Sequence, residues 1–158
     1  MTRSRALRQG YPEVRLSLMT PSSILGKQKI MAFAAVRDRD AARKFYRDTL
    51  GLTLVGEDQF ALVFDAHGTT LRISPVRDWT PPQFTVLGWE VPDIVAAVKE
   101  LTAAGVEFQR YAWMKDQDEM GIWTSPSGPE VAAVHAGARV AWFKDPDGNV
   151  LSVTQMPG

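Results

Sequence analysis

Apolar and polar positions follow two periodic patterns along the chain, and the two patterns occur twice in the same order. Each time a strand-like run, over residues 30–36 and 84–91, precedes a stretch with helical spacing. The helical stretches place apolar side chains on one face, three, four and seven or eight residues apart. Those side chains are Ala42, Phe45, Tyr46 and Leu50 in the first stretch and Ile94, Ala97, Val98 and Leu101 in the second.

The two stretches are also related by sequence, at an offset of 55 residues. Residues 36–44 and 91–99 agree at five of nine positions. Asp38 and Asp93 take the predicted N-cap, because a carboxylate can accept hydrogen bonds from the free backbone N–H groups of a first turn. The pattern therefore predicts an internal duplication with one helix in each half.

Short strand-like runs follow each predicted helix, and turn sequences separate them. Asp65–Gly68 and Asp145–Asn149 are the clearest turns, because Asp, Pro and Gly favour the backbone angles of tight turns. Aligning Gly68 with Gly148, an offset of 80, also aligns the last strand of each half. The runs are 52–57, 60–65 and 70–74 after the first helix, and 106–111, 121–124, 139–144 and 149–155 after the second.

The predicted fold class is α+β, with two βαβββ modules over residues 29–75 and 83–156 of a single domain, 29–158. Residues 75–83 hold three prolines and are expected to form a stiff linker between the modules. Each module is predicted to be a mixed sheet with one helix on one face. The free faces are expected to be turned toward each other across a cleft.

Charge is distributed unevenly along the chain. Residues 1–28 hold five basic residues and one acidic residue, whereas residues 29–158 hold 13 basic and 17 acidic residues. The basic segment is predicted to be a poorly ordered extension, and the acidic body disfavours nucleic acid as a partner. No apolar run approaches 18 residues and no secretory signal is recognisable, so we expect a cytoplasmic protein without a membrane partner. The absence of cysteine excludes disulfides, thiolate metal sites and cysteine nucleophiles.

Several segments of this pattern resemble the vicinal oxygen chelate superfamily, which includes glyoxalase I, bleomycin resistance proteins and extradiol dioxygenases. The resemblance covers residues 29–156 and implies the paired βαβββ fold. It also implies a homodimer, because members of this family commonly complete their clefts with two chains. The matching segments are Phe45–Leu52 preceded by Asp38, Trp89–Ile94, Ala104–Phe108 and Ala141–Leu151.

Metal-using members of the family take their ligands from the first and last strand of each half. Carried over to this chain, those positions are Met31, Arg72, Val86 and Ser152. Divalent ions of this kind prefer imidazole and carboxylate ligands, and an arginine would put a fixed positive charge at the site. The resemblance therefore implies a metal-free cleft with no cofactor, as in the bleomycin resistance type.

Strand alternation predicts which side chains line the cleft. Val86, Gly88 and Glu90 are expected on the cleft face of one strand, and Arg72 and Glu90 are opposite charges that pair either with a ligand or with each other. Aromatic rings beside the acids of residues 116–119 suit a flat cationic ligand, or else they belong to the core or an interface. The predicted ligand-binding residues are Phe33, Arg72, Glu90, Trp113, Trp123 and Ser152.

Three functions remain open from the sequence. The leading hypothesis is a metal-free protein that binds and sequesters a small organic or drug-like ligand. The alternative is an enzyme, either a metal-dependent lyase or dioxygenase with non-standard ligands such as Glu90 and His135, or a metal-free isomerase. The third is a subunit or regulatory partner without a ligand. No catalytic residue is identified, since His67 is expected on a surface turn and His135 has no partner at a recognisable spacing.

Overall fold

The structure is a computed structural model that describes residues 24–158. Most of the predicted basic extension therefore lies outside the described residues, and its last part contains a short 3-10 helix, Ile24–Lys27. The helices are α1 (Arg39–Lys44), which continues as a π-helical segment over Phe45–Thr49, and α2 (Ile94–Ala103). The strands are β1 (Met31–Val36), β2 (Thr53–Glu57), β3 (Leu62–Ala66), β4 (Thr69–Pro75), β5 (Thr85–Glu90), β6 (Trp123–Thr124), β7 (Arg139–Lys144) and β8 (Val150–Gln155).

The strands form two four-stranded mixed sheets, in the orders β1-β4-β3-β2 and β5-β8-β7-β6. In each sheet the first and last strands of the module are parallel neighbours, which confirms the predicted α+β fold of two βαβββ modules. Phe33 lies opposite Arg72 in the first sheet, and Gly88 lies opposite Ser152 in the second. These two pairs are related by the offsets of 55 and 80, so the strand register reproduces the duplication found in the sequence.

Both helices begin and end as their sequences indicate. The Asp38 carboxylate accepts hydrogen bonds from the backbone of Asp40 and Ala41, both at 3.0 Å, and Asp93 accepts one from Ala96. Past the helix ends, Gly51 and Gly105 have φ angles of 72° and 93°. The apolar stripe of each helix packs on its own sheet, and the two halves share one continuous core. Its largest fully buried side chains are Tyr46, Phe64, Phe143, Leu62, Leu71, Ile73, Ile94, Ile122 and Leu151.

The strand predicted over residues 106–111 is wrong. Only a single bridge, Phe108 with Phe143, joins this stretch to the second sheet, and the edge position belongs to β6. The physical reason is the Gln117 side chain, whose amide accepts from the Tyr111 N–H and donates to the carbonyls of Gln109 and Gly121. These backbone groups are therefore satisfied within a loop and do not need a neighbouring strand.

The Asp145–Asn149 turn, which the sequence predicts only as a turn, also connects the two modules through hydrogen bonds. Its Asp147 carboxylate accepts hydrogen bonds from the backbone N–H groups of Arg37 and Asp38, at 2.9 and 3.1 Å. The Tyr46 hydroxyl donates to Asp145 at 3.0 Å. Three polar residues of this turn are buried: Asp145, Asp147 and Asn149. The turn is thus part of the junction between the halves.

Candidate ligand-binding cleft

Strand pairing arranges the free face of the second sheet in rows, because directly opposed residues share a face. The other face of this sheet carries the core residues, such as Val153 and Phe143, and packs toward α2. On the free face, one row contains Gly88, Ser152 and Trp142, and the next contains Glu90, Thr154, Val140 and Trp123. The repeat thus places a glycine, a serine and two tryptophans on one open surface.

Four aromatic rings form a continuous wall over this surface, which we call the aromatic wall: Tyr111, Trp113, Trp123 and Trp142. Trp142 is its centre, with the Tyr111 ring edge-on at 5.8 Å and the Trp123 ring at 6.3 Å between centroids. Trp113 extends the wall through Tyr111, at 5.6 Å. The Trp142 indole N–H donates to the Thr85 hydroxyl at 3.2 Å, which fixes the orientation of the central ring.

The loop over residues 109–121 presents two of these rings and is braced internally. The Gln117 side chain makes the hydrogen bonds described above, and Arg110 adds another by donating to the carbonyl of Asp118 at 2.6 Å. Desolvation raises the pKa of the Tyr111 hydroxyl, although its ring is only half-buried. Trp113, at 75% exposure, lies at the outer end of the wall.

A cavity of about 430 Å³ lies between the aromatic wall and the start of β5, and we call it the aromatic pocket. Its walls are mostly apolar or aromatic, and its lining side chains also carry the Thr85 hydroxyl, the Tyr111 hydroxyl and the Gln83 amide. A pocket of this size and character suits a small organic molecule with a few polar atoms. The lining residues are Gln83, Phe84, Thr85, Tyr111, Trp113, Met114, Trp142 and Val150.

The free face of the first sheet is open and apolar along β1. Met31 and Phe33 are 49% and 63% exposed, although both are large and hydrophobic. Arg72 lies beside Phe33 on β4 and is half-buried. Strand β1 therefore presents two large apolar side chains to solvent on this face.

The six predicted ligand-binding residues fall into two groups. Phe33 and Arg72 are neighbours on the first sheet, whereas Glu90, Ser152 and Trp123 share the free face of the second sheet. Trp113 joins the second group through Tyr111. Within residues 24–158, neither Arg72 nor Glu90 forms an ion pair, so the two charges are not a structural salt bridge.

Sequence reasoning missed the two central rings of the wall, Trp142 and Tyr111. The register of the hairpin between β7 and β8 places Trp142 directly opposite Ser152. The alternation that placed Ser152 in the cleft would therefore have found Trp142, had it been extended to β7. No comparable signal exists for Tyr111, because the loop that carries it has no periodicity.

The structure adds two details to the predicted cleft. Val86 lies in a β-bulge between Thr85 and Leu87, where it packs in part against the core and also lines a cavity shared with β1, and Thr85 is the residue that meets Trp142. Two of the three acids near the tryptophans are directed elsewhere. Asp118 accepts from the backbone of its own loop, and Glu119 lines a separate groove beside α2. These two acids do not supply negative charge to the aromatic wall.

The four positions that hold metal in metal-using relatives do not fit a divalent ion here. Val86 has no donor atom, the Met31 thioether prefers soft ions, and Arg72 carries a fixed positive charge. Ser152, the fourth, is a neutral hydroxyl that is 6% exposed. Across residues 24–158 no three His, Asp or Glu side chains come together as a metal site, and this includes Glu90 and the exposed His135.

Comparison with known proteins points to one family. The family model described as the Glyoxalase/Bleomycin resistance protein/Dioxygenase superfamily matches residues 29–153. No curated protein matches the chain. In the described part of the chain, no helix is long and apolar enough to cross a membrane.

Solved structures show the same fold. A glyoxalase family protein from Enterococcus faecalis superimposes with a TM-score of 0.62 at 17% identity, covering 83% of this chain and 99% of that one. TnmS3, an antibiotic binding protein from Streptomyces sp. CB03234, gives 0.56 at 22% identity, covering 83% and 98%. A lactoylglutathione lyase from Agrobacterium tumefaciens gives 0.54 at 16% identity, covering 81% and 94%. The second of these proteins is a binding protein and the third an enzyme, so the fold alone does not choose between these functions.

Proposed function

The chain belongs to the Glyoxalase/Bleomycin resistance protein/Dioxygenase superfamily, and we propose that it binds and sequesters a small organic or drug-like ligand without a metal ion. The observation that carries this proposal is the aromatic pocket of about 430 Å³ on the free face of the second sheet. The carried-over metal positions, which are divided between the two sheets, hold Met31, Arg72, Val86 and Ser152 and do not fit a divalent ion. An apolar, aromatic cavity without catalytic groups is suited to holding a ligand and not to transforming it.

The ligand class follows from the lining of the pocket. Stacking against Trp142, Tyr111 and Trp113 favours a flat ring system, and each such contact contributes about 1 kcal/mol beyond the area it buries. None of the side chains that line the aromatic pocket is a carboxylate, and Glu90 lines a different cavity, beside α2. The ligand in this proposal is therefore a flat aromatic compound whose ring system, and not its charge, provides most of the affinity.

The protein acts as a cytoplasmic homodimer in this proposal. The open face of the first sheet, with Phe33 and Met31, is the surface that a second copy covers. The mouth of the aromatic pocket is open as well, since Phe84 and Trp113 are 68% and 75% exposed. A second copy that covers both surfaces would enclose the ligand between the first sheet of one chain and the second sheet of the other.

Tryptophan fluorescence titration tests the proposal with three probes: ethidium as a cationic aromatic, S-hexylglutathione and catechol. We expect micromolar binding of the aromatic cation and about tenfold weaker binding by Trp113→Ala, because one face of the stack is lost. Phe60→Ala is the matched control, since Phe60 is 66% exposed and outside the pocket.

Metal analysis of the protein purified without a chelator completes the test. The expected content is far below one ion per chain. One equivalent of zinc, nickel, iron or manganese would contradict the proposal and favour a lyase or dioxygenase. If none of the three probes binds, the result favours a partner protein without a ligand.

A further inference from the structure

A second cavity, of about 470 Å³, lies where the two modules meet beneath the linker. We call it the junction pocket. It is lined by Phe33 and Ser74 from the first module, by Trp79 from the linker, and by Phe84, Thr85 and Asn149 from the second module. The linker lies tightly over this region, since a Cβ on Gly148 would come within 3.2 Å of the Pro81 ring. None of the side chains that line the pocket is ionisable.

The Asn149 side chain leaves one hydrogen-bonding position open. Its amide nitrogen donates to the Ala35 carbonyl at 2.8 Å and to the Asp145 carboxylate at 2.7 Å. Both partners are acceptors, so the assignment of nitrogen and oxygen in this amide is fixed by chemistry. Asn149 is 0% exposed, and its Oδ1 atom has no hydrogen-bond partner among the described residues.

The Trp79 indole N–H also lacks a hydrogen-bond partner. Its Nε1 atom is buried, and no atom of residues 24–158 accepts a hydrogen bond from it. Three buried side-chain polar atoms lack a partner in the described residues, and two of them belong to residues that line this one pocket. Such groups are uncommon, because a buried donor or acceptor without a partner has lost its hydration and gained nothing in return.

A donor and an acceptor in an uncharged pocket define the chemistry of a partner. The indole N–H needs an acceptor, and the asparagine oxygen needs a donor. A carboxylate or an ammonium group would satisfy only one of them and would lose its hydration in surroundings without a counter-charge. An amide, lactam, urea or imide satisfies both at once and stays neutral.

We infer that the junction pocket receives a neutral amide-type group of the ligand, held by Trp79 Nε1 and Asn149 Oδ1. This inference rests on the proposed function, because the junction pocket and the aromatic pocket share Phe84 and Thr85. The flat ring of the ligand lies against the aromatic wall, and its amide end reaches past Phe84 into the junction pocket. Because both polar atoms are buried and Asn149 is 0% exposed, the linker over the pocket has to move outward when the amide binds. A site built to hydrogen-bond such a group discriminates strongly against an analogue that lacks it.

Three probes with one ring system test the inference: 1-naphthamide carries a donor and an acceptor, methyl 1-naphthoate only an acceptor, and 1-methylnaphthalene neither. We expect 1-naphthamide to bind the wild-type protein about tenfold more tightly than either analogue. In Trp79→Phe, which keeps the ring and removes the donor, the preference should fall below about twofold. Trp113→Phe is the matched control, which should preserve the preference because Trp113 lies outside the junction pocket.

Nuclear magnetic resonance provides a second measurement that does not depend on the stability of the variant. The indole N–H signal of Trp79, assigned in the wild-type protein from backbone connectivities, should shift downfield when 1-naphthamide saturates the protein. Equal binding of all three probes with an unmoved Trp79 signal would overturn this inference and leave the proposed function standing. Failure of every probe to bind would count against both.

Discussion

Gly148 combines two requirements that only glycine meets without strain. Its φ angle is +93°, in the left-handed region that other residues adopt at a cost. An added Cβ would lie 3.2 Å from Pro81 Cγ, so the linker would have to move away from the turn. The residue therefore determines both the shape of the Asp145–Asn149 turn and the closeness of the linker above it.

Gly148→Ala is expected to lower the free energy of unfolding by about 2–3 kcal/mol, since backbone strain and a steric contact add together. Gly68→Ala is the matched control, because Gly68 has φ +87° with no atom within 4 Å of an added Cβ. It should lose only the backbone part, about 1 kcal/mol. Urea unfolding monitored by circular dichroism measures both. Equal losses would show that the linker does not press on the turn.

Single residues also show how far the sequence predicts the cleft. Alternation placed Phe33, Arg72, Glu90 and Ser152 on the free faces of their strands, because a strand with a buried face has a fixed register. It could not place Val86, since the bulge of β5 interrupts the alternation at that residue. Nor could it show that Asp118 is used by its own loop, because that depends on backbone contacts of an irregular segment.

At the level of elements, helix α1 and its π-helical continuation are tied to the distant Asp145–Asn149 turn through Tyr46. The ring packs against Phe64 in the core, and the hydroxyl donates to Asp145 at 3.0 Å. The helical spacing predicted that Tyr46 would be buried, and it is 0% exposed. The spacing says nothing about the partner of its hydroxyl, because that contact joins residues that are 99 positions apart.

Tyr46→Phe is expected to lower the free energy of unfolding by about 1–2 kcal/mol at pH 8, because the Asp145 carboxylate loses a buried donor. Burial, followed by the negative charge of Asp145, raises the pKa of Tyr46 above its ordinary value of 10.0. The unfolded chain therefore releases this proton first. The stability that Tyr46 provides is complete below about pH 10 and decreases above it, by up to about 1.4 kcal/mol per pH unit.

Urea unfolding between pH 8 and pH 11 measures this dependence. In Tyr46→Phe the slope above pH 10 should be shallower than in the wild-type protein. Tyr111→Phe is the control, because Tyr111 is only half-buried and its pKa is raised by desolvation alone. A wild-type slope that persists in Tyr46→Phe would show that another group is responsible.

For the molecule as a whole, the duplication was the most predictable feature. Two offsets in the sequence relate β1 to β5 and β4 to β8, and the parallel pairs β1–β4 and β5–β8 of the structure repeat at these offsets. The expected cleft was less predictable. Each free face is open along part of its length, with Phe33 and Phe84 63% and 68% exposed. The periodicity of the sequence shows which side chains lie on a free face, but it does not show whether a second copy of the chain covers that face.

Phe33→Asp tests whether a second copy covers the first sheet. We expect the wild-type protein to sediment as a dimer at micromolar concentration and the variant to dissociate at about 100-fold higher concentration, because a charge would be buried at the centre of the interface. Ligand affinity is not the readout for this variant, because Phe33 also lines the junction pocket and its replacement would weaken binding directly. Phe60→Asp is the matched control, because Phe60 is equally exposed, at 66%, but precedes β3 on the turn from β2. A wild-type monomer, or a Phe33→Asp dimer of unchanged strength, would contradict the homodimer and leave the aromatic pocket to act within one chain.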